Sequence, residues 1–571
     1  MWIVLLLLPF AVLVAIELAL RASGYGRDLE PLFVPAPQQP AYLQANPEVV
    51  TRFFSDVTQA PRVSIETAYF PARKAPGTFR VFVQGESSAA GFPYGLGAAL
   101  AGVLDQRLER AFPSREIEVI STAMAAVNSY ALVDFADEII AHQPDAILVY
   151  VGHNEFLGIL GVGSSLRMAA TPWMTRAFLA ARELRLFQFM SSVYRRLAAA
   201  PAAKASDAQD SLMARVAGER AILLSSDLFR RGVEQCEANL GRLLAKYREA
   251  GIPVFVGTLV SNERDQPPLA ILANVGGEAA AAAQTAYHAA QDAEAAGGFE
   301  AAREGYAWAR DLDPLRFRAP AALGDVIARV AAAHGAEVVD VRRAFADASP
   351  NGLVGASLLL EHVHPNLDGY FLLADAFFDA LLARSLPGRP EVEVTDAEAR
   401  ADMPVSDVDR YLGDYKVLRI KAGWPFAAEF REPSLPQPAN EAQRLAQALF
   451  HERISWPDAQ NQLRAHAQAA GDLDQYASIT AILADAFPFV GQLQFETAAA
   501  RMRQARPQDA LRYSRRGIAL EPRSANQWLV HAHALFALQR RDEGRAALGQ
   551  VLAIDPANPT ARQVLGELEG R

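Results

Sequence analysis

Three short stretches of this chain combine residues able to move a proton or attack a carbonyl. The first is Gly85-Glu86-Ser87, at the end of the apolar run 79–84, with Gly91 four residues further on. A serine hydroxyl attacks a carbonyl only when a base within hydrogen-bond reach takes its proton. The second is Gly152-His153-Asn154-Glu155, closing the apolar run 146–151. Asn154 could offer a side-chain N–H to a developing oxyanion, worth roughly 3–4 kcal/mol in comparable sites. The third is Glu361-His362-Val363-His364. Glu361 and His364 are three apart, so one helical turn or a tight loop brings the carboxylate to the imidazole. A carboxylate on one ring nitrogen fixes the tautomer and leaves the other nitrogen to take the serine proton.

Each stretch also has a plainer reading. Gly-Glu-Ser occurs in many turns, and an asparagine at a strand end often only shapes one. Glu361, His362 and His364 are also metal-ligand types. No further histidine or carboxylate cluster in the sequence completes such a site, so neither a metal nor another cofactor is expected. His362 reads as a neighbour of the base, with His364 as the base itself.

The elements that must position these residues follow from periodicity. Apolar runs at 79–84, 117–121, 146–151, 253–260 and 337–341 alternate with helical patterns at 96–111, 130–142, 228–250 and 369–384. Continuous apolar strands separated by amphipathic helices predict an α/β fold, a parallel sheet covered on both faces. Two helical insertions, about 159–227 and 266–320, interrupt this unit at 75–385. Ahead of it, 22–74 is expected to be a spacer on account of the Pro-rich stretch 31–47. After it, 386–438, rich in Pro, Asp and Glu, is the expected linker.

From 439 to 571 the pattern is all-helical, and Pro488, Pro522 and Pro556 recur at intervals of 34 residues. That is the period of tetratricopeptide repeats, in which proline ends the second helix of each pair. Trp528 and Ala532 occupy expected packing positions, and Ala302, Tyr306 and Ala309 in the second insertion follow the same pattern. Stacked helix pairs bury one another and form a curved surface, so a protein partner is expected there. The bland alternative is a helical bundle without the superhelix.

Together the three chemical stretches resemble the SGNH (GDSL-like) hydrolases, a family with a Gly-Asp-Ser block, a Gly-x-Asn-Asp block and a terminal Asp-x-x-His block. The resemblance covers about 75–385 and implies a three-layer fold with Ser87 as nucleophile, His364 as base and Glu361 as its carboxylate. It also implies an oxyanion hole from the backbone N–H of Ser87, that of Ala126 and the Asn154 side chain. Ala126 stands where the family's second block usually has glycine. Glutamate replaces aspartate at 86, 155 and 361. The implied activity is that of an esterase or lipase on an O-acylated small molecule or polysaccharide, often deacetylation of carbohydrate. An O-acyltransferase would use the same residues. A tetratricopeptide scaffold with a degenerate hydrolase domain is the non-enzymatic alternative. The chain is also similar to membrane-anchored bacterial SGNH proteins with C-terminal tetratricopeptide repeats.

Bulk properties narrow the classes further. At 571 residues the chain needs more than one core. A net charge of −10 leaves no basic excess for nucleic-acid phosphates. The single cysteine, Cys236, excludes an internal disulfide framework and reads as a small buried hydrophobe. Residues 1–21 are almost wholly apolar, about the ~20 residues a membrane-spanning helix needs. They are expected to be a single-pass anchor, with a cleaved signal peptide as the alternative. Arg21 and Arg27 would hold the body inside by the positive-inside rule. The anchored relatives imply the opposite, a body on the extracytoplasmic face of a bacterial inner membrane, and that is the expectation adopted.

Overall fold

The computed structural model describes residues 2–54, 57–168, 171–198 and 212–569. Three strands, β1 (Phe33–Ala36), β2 (Gln39–Ala45) and β3 (Tyr69–Pro71), form a small antiparallel sheet. Five more follow: β4 (Phe79–Gly85), β5 (Ile117–Ser121), β6 (Ala146–Tyr150), β7 (Val254–Gly257) and β8 (Glu337–Val339). They pair in parallel in the order β5-β4-β6-β7-β8. Every residue of β4 and β6 is buried. Burial on both faces is why these strands read as unbroken apolar runs.

Helices Ser129–Ala141, Asp227–Glu249 and Ala321–His334 pack together against the sheet, and Leu100–Ala111 pairs with Leu367–Ala383 in a second layer. The expected three-layer α/β architecture is therefore present. Several helices begin on side-chain caps: Asn128 accepts from the N–H of Tyr130, Ser226 from Phe229 and Asn366 from Gly369. Such caps satisfy N–H groups the first turn cannot pair internally. The strand order turns at β4, which lies between β5 and β6. Open α/β sheets place their ligands outside the carboxyl ends of the strands at such a switch point.

The two connecting regions differ from the sequence reading. Segment 22–74, expected as a spacer, carries β1–β3 and contributes Leu32, Phe33, Phe53 and Phe70 to the main core. Segment 386–438, expected as a linker, contains helices Asp396–Ala401 and Asp407–Lys421, each opened by a capping box. In the first insertion, helices Pro172–Ala181, Arg185–Ala198 and Leu212–Val216 are formed, and 199–211 lies outside the described residues. In the second, Gly277–Ala295 packs along Phe299–Leu312, burying Ala302, Tyr306 and Ala309 with Tyr287.

Beyond 439 the chain is helical throughout. Helices Leu473–Ala486, Pro507–Leu520 and Arg541–Ile554 each stop two residues before one of the periodic prolines. Their partners Trp456–Ala470, Gly491–Arg503 and Ala525–Ala537 precede them and complete stacked pairs, with Ala532 fully buried, and Pro559–Glu569 follows the last pair. At the other end, Trp2–Ala22 is helical, with Met1 and the side chains of residues 1–6 outside the described residues. Among the described residues no helix is long and apolar enough to cross a membrane.

Candidate active site

The parallel register pairs Gly85 with Tyr150, so the loops leaving β4 and β6 emerge side by side. A Cβ on Gly85 would lie 2.5 Å from both Ala89 Cβ and the Tyr150 carbonyl oxygen. Only glycine lets the chain turn there, and the turn delivers Ser87 to the crevice. Glu86, the residue before it, is fully buried and accepts the backbone N–H groups of Gly152 at 3.1 Å, His153 at 2.9 Å and Asn154 at 3.0 Å. This carboxyl ties the Ser87 turn to the Asn154 loop. Burial pushes its pKa up to about 8, against the pull of those N–H donors.

The third stretch meets the first. Ser87 Oγ lies 2.8 Å from His364 Nε2. On the other side of the ring, His364 Nδ1 bonds Glu361 Oε1, whose carboxylate is 1% exposed. Glu361 Oε2 is taken by Nδ1 of His362, and the backbone N–H groups of His362 (2.6 Å) and His364 (3.2 Å) also donate to this carboxylate. Burial raises the Glu361 pKa, but the two imidazoles outweigh it and hold the group well below the usual carboxylate range. Burial also lowers the pKa of His362, which favours a neutral ring whose Nδ1–H donates. Ser88 Oγ donates to the Val363 carbonyl at 3.0 Å, fastening the histidine loop to the serine turn.

Ser87, Ala126 and Asn154 line the same cavity as His364. Ala126 has φ +61°, the left-handed region that a side chain makes costly. Alanine holds here the backbone conformation that glycine adopts freely. The loop is pinned because the Ile159 N–H donates to the Ala126 carbonyl at 2.7 Å. Glu155 is buried and accepts from the Ser129 N–H (3.1 Å) and hydroxyl (2.8 Å) and from Gln235 Nε2 (2.7 Å). Burial raises its pKa to about 7. It buttresses the loop from behind. His153 is fully buried with its pKa lowered to about 3, first by burial, so the ring stays neutral, and its Nδ1 accepts the Ala319 N–H at 3.2 Å.

Glu361, His362 and His364 each bring a ligand atom within 4.8 Å of the others, a spacing a metal could also use. In the observed arrangement both nitrogens of His364 are engaged, one by Glu361 and one by Ser87. That pattern serves proton transfer.

Several participants were invisible to motif reading. The Phe92 ring packs on His364 with centroids 4.6 Å apart. Phe317, from the end of the second insertion, and Phe426, from the expected linker, flank His362. No local pattern marks these three aromatics. The Glu-His-x-His spacing was the available signal for His362, since it puts a second imidazole beside the same carboxylate.

No family model and no curated protein matches the chain. Solved structures do. A lipase/acylhydrolase from Enterococcus faecalis is similar at 15% identity, over 55% of this chain and 100% of that one, with a TM-score of 0.28. A GDSL-like lipase from Bacteroides thetaiotaomicron is similar at 11% identity, over 55% and 92%, with a TM-score of 0.27. The first tetratricopeptide domain of Spaghetti, bound to an HSP90 peptide, is similar at 22% identity, over 19% and 88%, with a TM-score of 0.19. The chain is thus similar to GDSL-like lipases and acylhydrolases over about half its length and to a tetratricopeptide domain over a smaller part. Identities and scores this low carry no argument about activity, so the functional reading rests on the site's own geometry.

Proposed function

We propose that this chain is a serine-dependent ester hydrolase of the SGNH type, acting on an O-acylated substrate. The observation that carries the reading is the unbroken series Ser87 Oγ, His364 Nε2, His364 Nδ1, Glu361. His364 takes the hydroxyl proton as Ser87 Oγ bonds to the ester carbonyl carbon. The oxyanion faces the N–H groups of Ser87 and Ala126 and the Asn154 side chain. The tetrahedral species collapses, the ester C–O bond breaks, and the leaving alcohol receives the proton from His364. Water then adds to the acyl-serine with His364 again as base, releasing the acid and restoring Ser87. Glu361, one methylene longer than the family's aspartate, reaches His364 while bracing on His362.

A fluorophosphonate probe tests this on the full chain. Wild type is labelled and Ser87→Ala is not. Folded wild type that resists the probe overturns the reading.

The same proposal gives the repeats a protein partner and makes residues 1–21 an anchor with the body on the extracytoplasmic face. The 34-residue helix pairs and the apolar N-terminal run support these parts. In-cell crosslinking of the full chain tests the first. A phosphatase reporter fused after residue 60 tests the second, and an inactive reporter retained inside the cell overturns it. Carbohydrate as the acylated alcohol is supported only by the family resemblance. Release of acetate from acetylated polysaccharide tests it.

A further inference from the structure

The cavity beside Ser87 does not end at the strand tips. It has a volume of about 1460 Å³ and continues along the edge strand β5 to the repeat domain. One wall is the catalytic unit. The other is built by the C-terminal region: Leu412 and Ile420 on helix Asp407–Lys421, then Phe430, Leu449 and Phe450, with Ile482 further along. This second wall rests directly on the serine loop. Lys416 Nζ donates to the Pro93 carbonyl at 3.2 Å, and a Cβ on Gly413 would lie 2.4 Å from the Tyr94 ring.

The lining is mainly aliphatic and aromatic, and several of its charged groups are already engaged. Lys416 is spent on Pro93, the Arg419 guanidinium lies 5.7 Å from the Phe450 ring centroid, and Trp456 Nε1 donates to Asp409 at 2.7 Å. At the far end Arg516 is paired with Glu109 and with Glu116, the latter at 3.1 Å. A sugar chain or a phosphate needs polar groups turned toward it. A hydrocarbon chain needs an apolar channel of this kind.

We propose that the channel holds the long hydrocarbon chain of the substrate's acyl group, and that the C-terminal region is a wall of the substrate site. This rests on the ester-hydrolase reading. The acyl group is the part that fits, because it stays bonded to Ser87 while the alcohol departs and water enters. The part that stays is the one an extended apolar channel can grip through both steps. Each pair of methylenes taken from water then raises kcat/KM by up to about tenfold, until the channel is full.

The full chain is assayed with 4-nitrophenyl esters from acetyl to hexadecanoyl, and with acetate esters of alcohols over the same lengths. The expected result is a steep rise in kcat/KM with acyl length and a flat response to alcohol length. Ile420→Trp and Leu449→Asp, both half-buried positions, should lower the dodecanoyl-to-butanoyl ratio at least tenfold. Binding of dodecanoic acid to Ser87→Ala, followed by calorimetry, gives a measurement that needs no change in the wall. A flat acyl series, a rise with alcohol length instead, an unchanged ratio in folded variants, or no fatty-acid binding each overturns the proposal. Ser87-dependent turnover confined to short esters would sink the channel alone. No turnover of any ester, with no fluorophosphonate labelling, would sink the hydrolase reading beneath it.

Discussion

His362 bonds the Glu361 oxygen that His364 leaves free, so one buried carboxylate is gripped by two imidazoles. The grip accounts for a glutamate in this position. A longer side chain has one more torsion to fix, and His362 fixes it. Replacing His362 with alanine should lower kcat roughly tenfold with little change in KM, about the 1.4 kcal/mol that one hydrogen bond to a charged group contributes. Replacing His364 with alanine should cost roughly a thousandfold or more. Steady-state kinetics on one soluble ester separates the two roles: a His362→Ala enzyme as fast as wild type would remove the positioning role.

Glu361 itself predicts an acid limit. Its folded-state pKa lies below the ordinary carboxylate value, so its contribution to stability is present above that ordinary value and is lost as pH falls through the folded pKa. Glu361→Gln should therefore unfold with a shallower pH dependence in the acid range, and should lower kcat by roughly 10³–10⁴-fold through loss of the tautomer lock. Denaturant titrations from acid to neutral pH check the first expectation, and kinetics the second.

Glu86 predicts the opposite sign. Burial raises its folded-state pKa to about 8 from the ordinary 4.5. The stability associated with it is present below pH 4.5 and is lost as pH rises through 8, because ionising the buried group is costly. Stability measured between those limits should fall with pH in wild type and fall less in Glu86→Gln. Equal slopes would show that the three N–H donors already hold the group ionised.

Ala126 pays a backbone penalty that glycine would not. At φ +61° the cost for a non-glycine residue is roughly 1–2 kcal/mol, partly offset by the extra freedom glycine has when unfolded. Ala126→Gly should be more stable by about 0.5–1 kcal/mol with kcat retained. Ala126→Val, β-branched, should be destabilised and slower. Thermal midpoints and kcat for the pair decide it.

Much of this was legible in the sequence, for local reasons. Strands β4, β6 and β7 declared themselves because burial on both faces leaves almost unbroken apolar runs, and the repeat helices because proline stops each second helix. Segment 22–74 misled because Pro35 and Pro40 suggest irregular chain, yet a small, peripheral antiparallel sheet tolerates proline. Its burial comes from distant contacts: Phe33 packs on Phe70 and Phe82 with centroids 5.1 and 5.7 Å apart. Helix Asp407–Lys421 did carry a helical stripe in Val408, Leu412 and Tyr415, obscured by the acidic residues between them. The cavity wall had no sequence signal, since it exists only once the repeats dock on the hydrolase unit.

That docking depends on Glu109, near the end of helix Leu100–Ala111, which is gripped by Arg512 and Arg516 from helix Pro507–Leu520. Glu109 is 3% exposed, so salt should weaken the contact little. Removing the carboxylate leaves two half-buried guanidinium groups one partner short, and Arg516 keeps Glu116 and Asp485, so the loss should fall below the roughly 3–5 kcal/mol of a fully buried pair broken on one side. Arg506 adds a second clamp, 2.7 Å from Asp402, which also takes Arg110 at 2.5 Å. Glu109→Ala should therefore loosen the repeats while the hydrolase core stays folded. Trypsin should then cut at Arg431, in the irregular segment between the units, at least tenfold faster than in wild type. Arg512→Ala combined with Glu109→Ala should cost less than the sum of the two single changes, because each removes the other's unpaired charge. Additive losses would mean that the two charges do not sense each other and that the apolar contacts of Tyr42 and Tyr69 with Phe489 hold the units together instead.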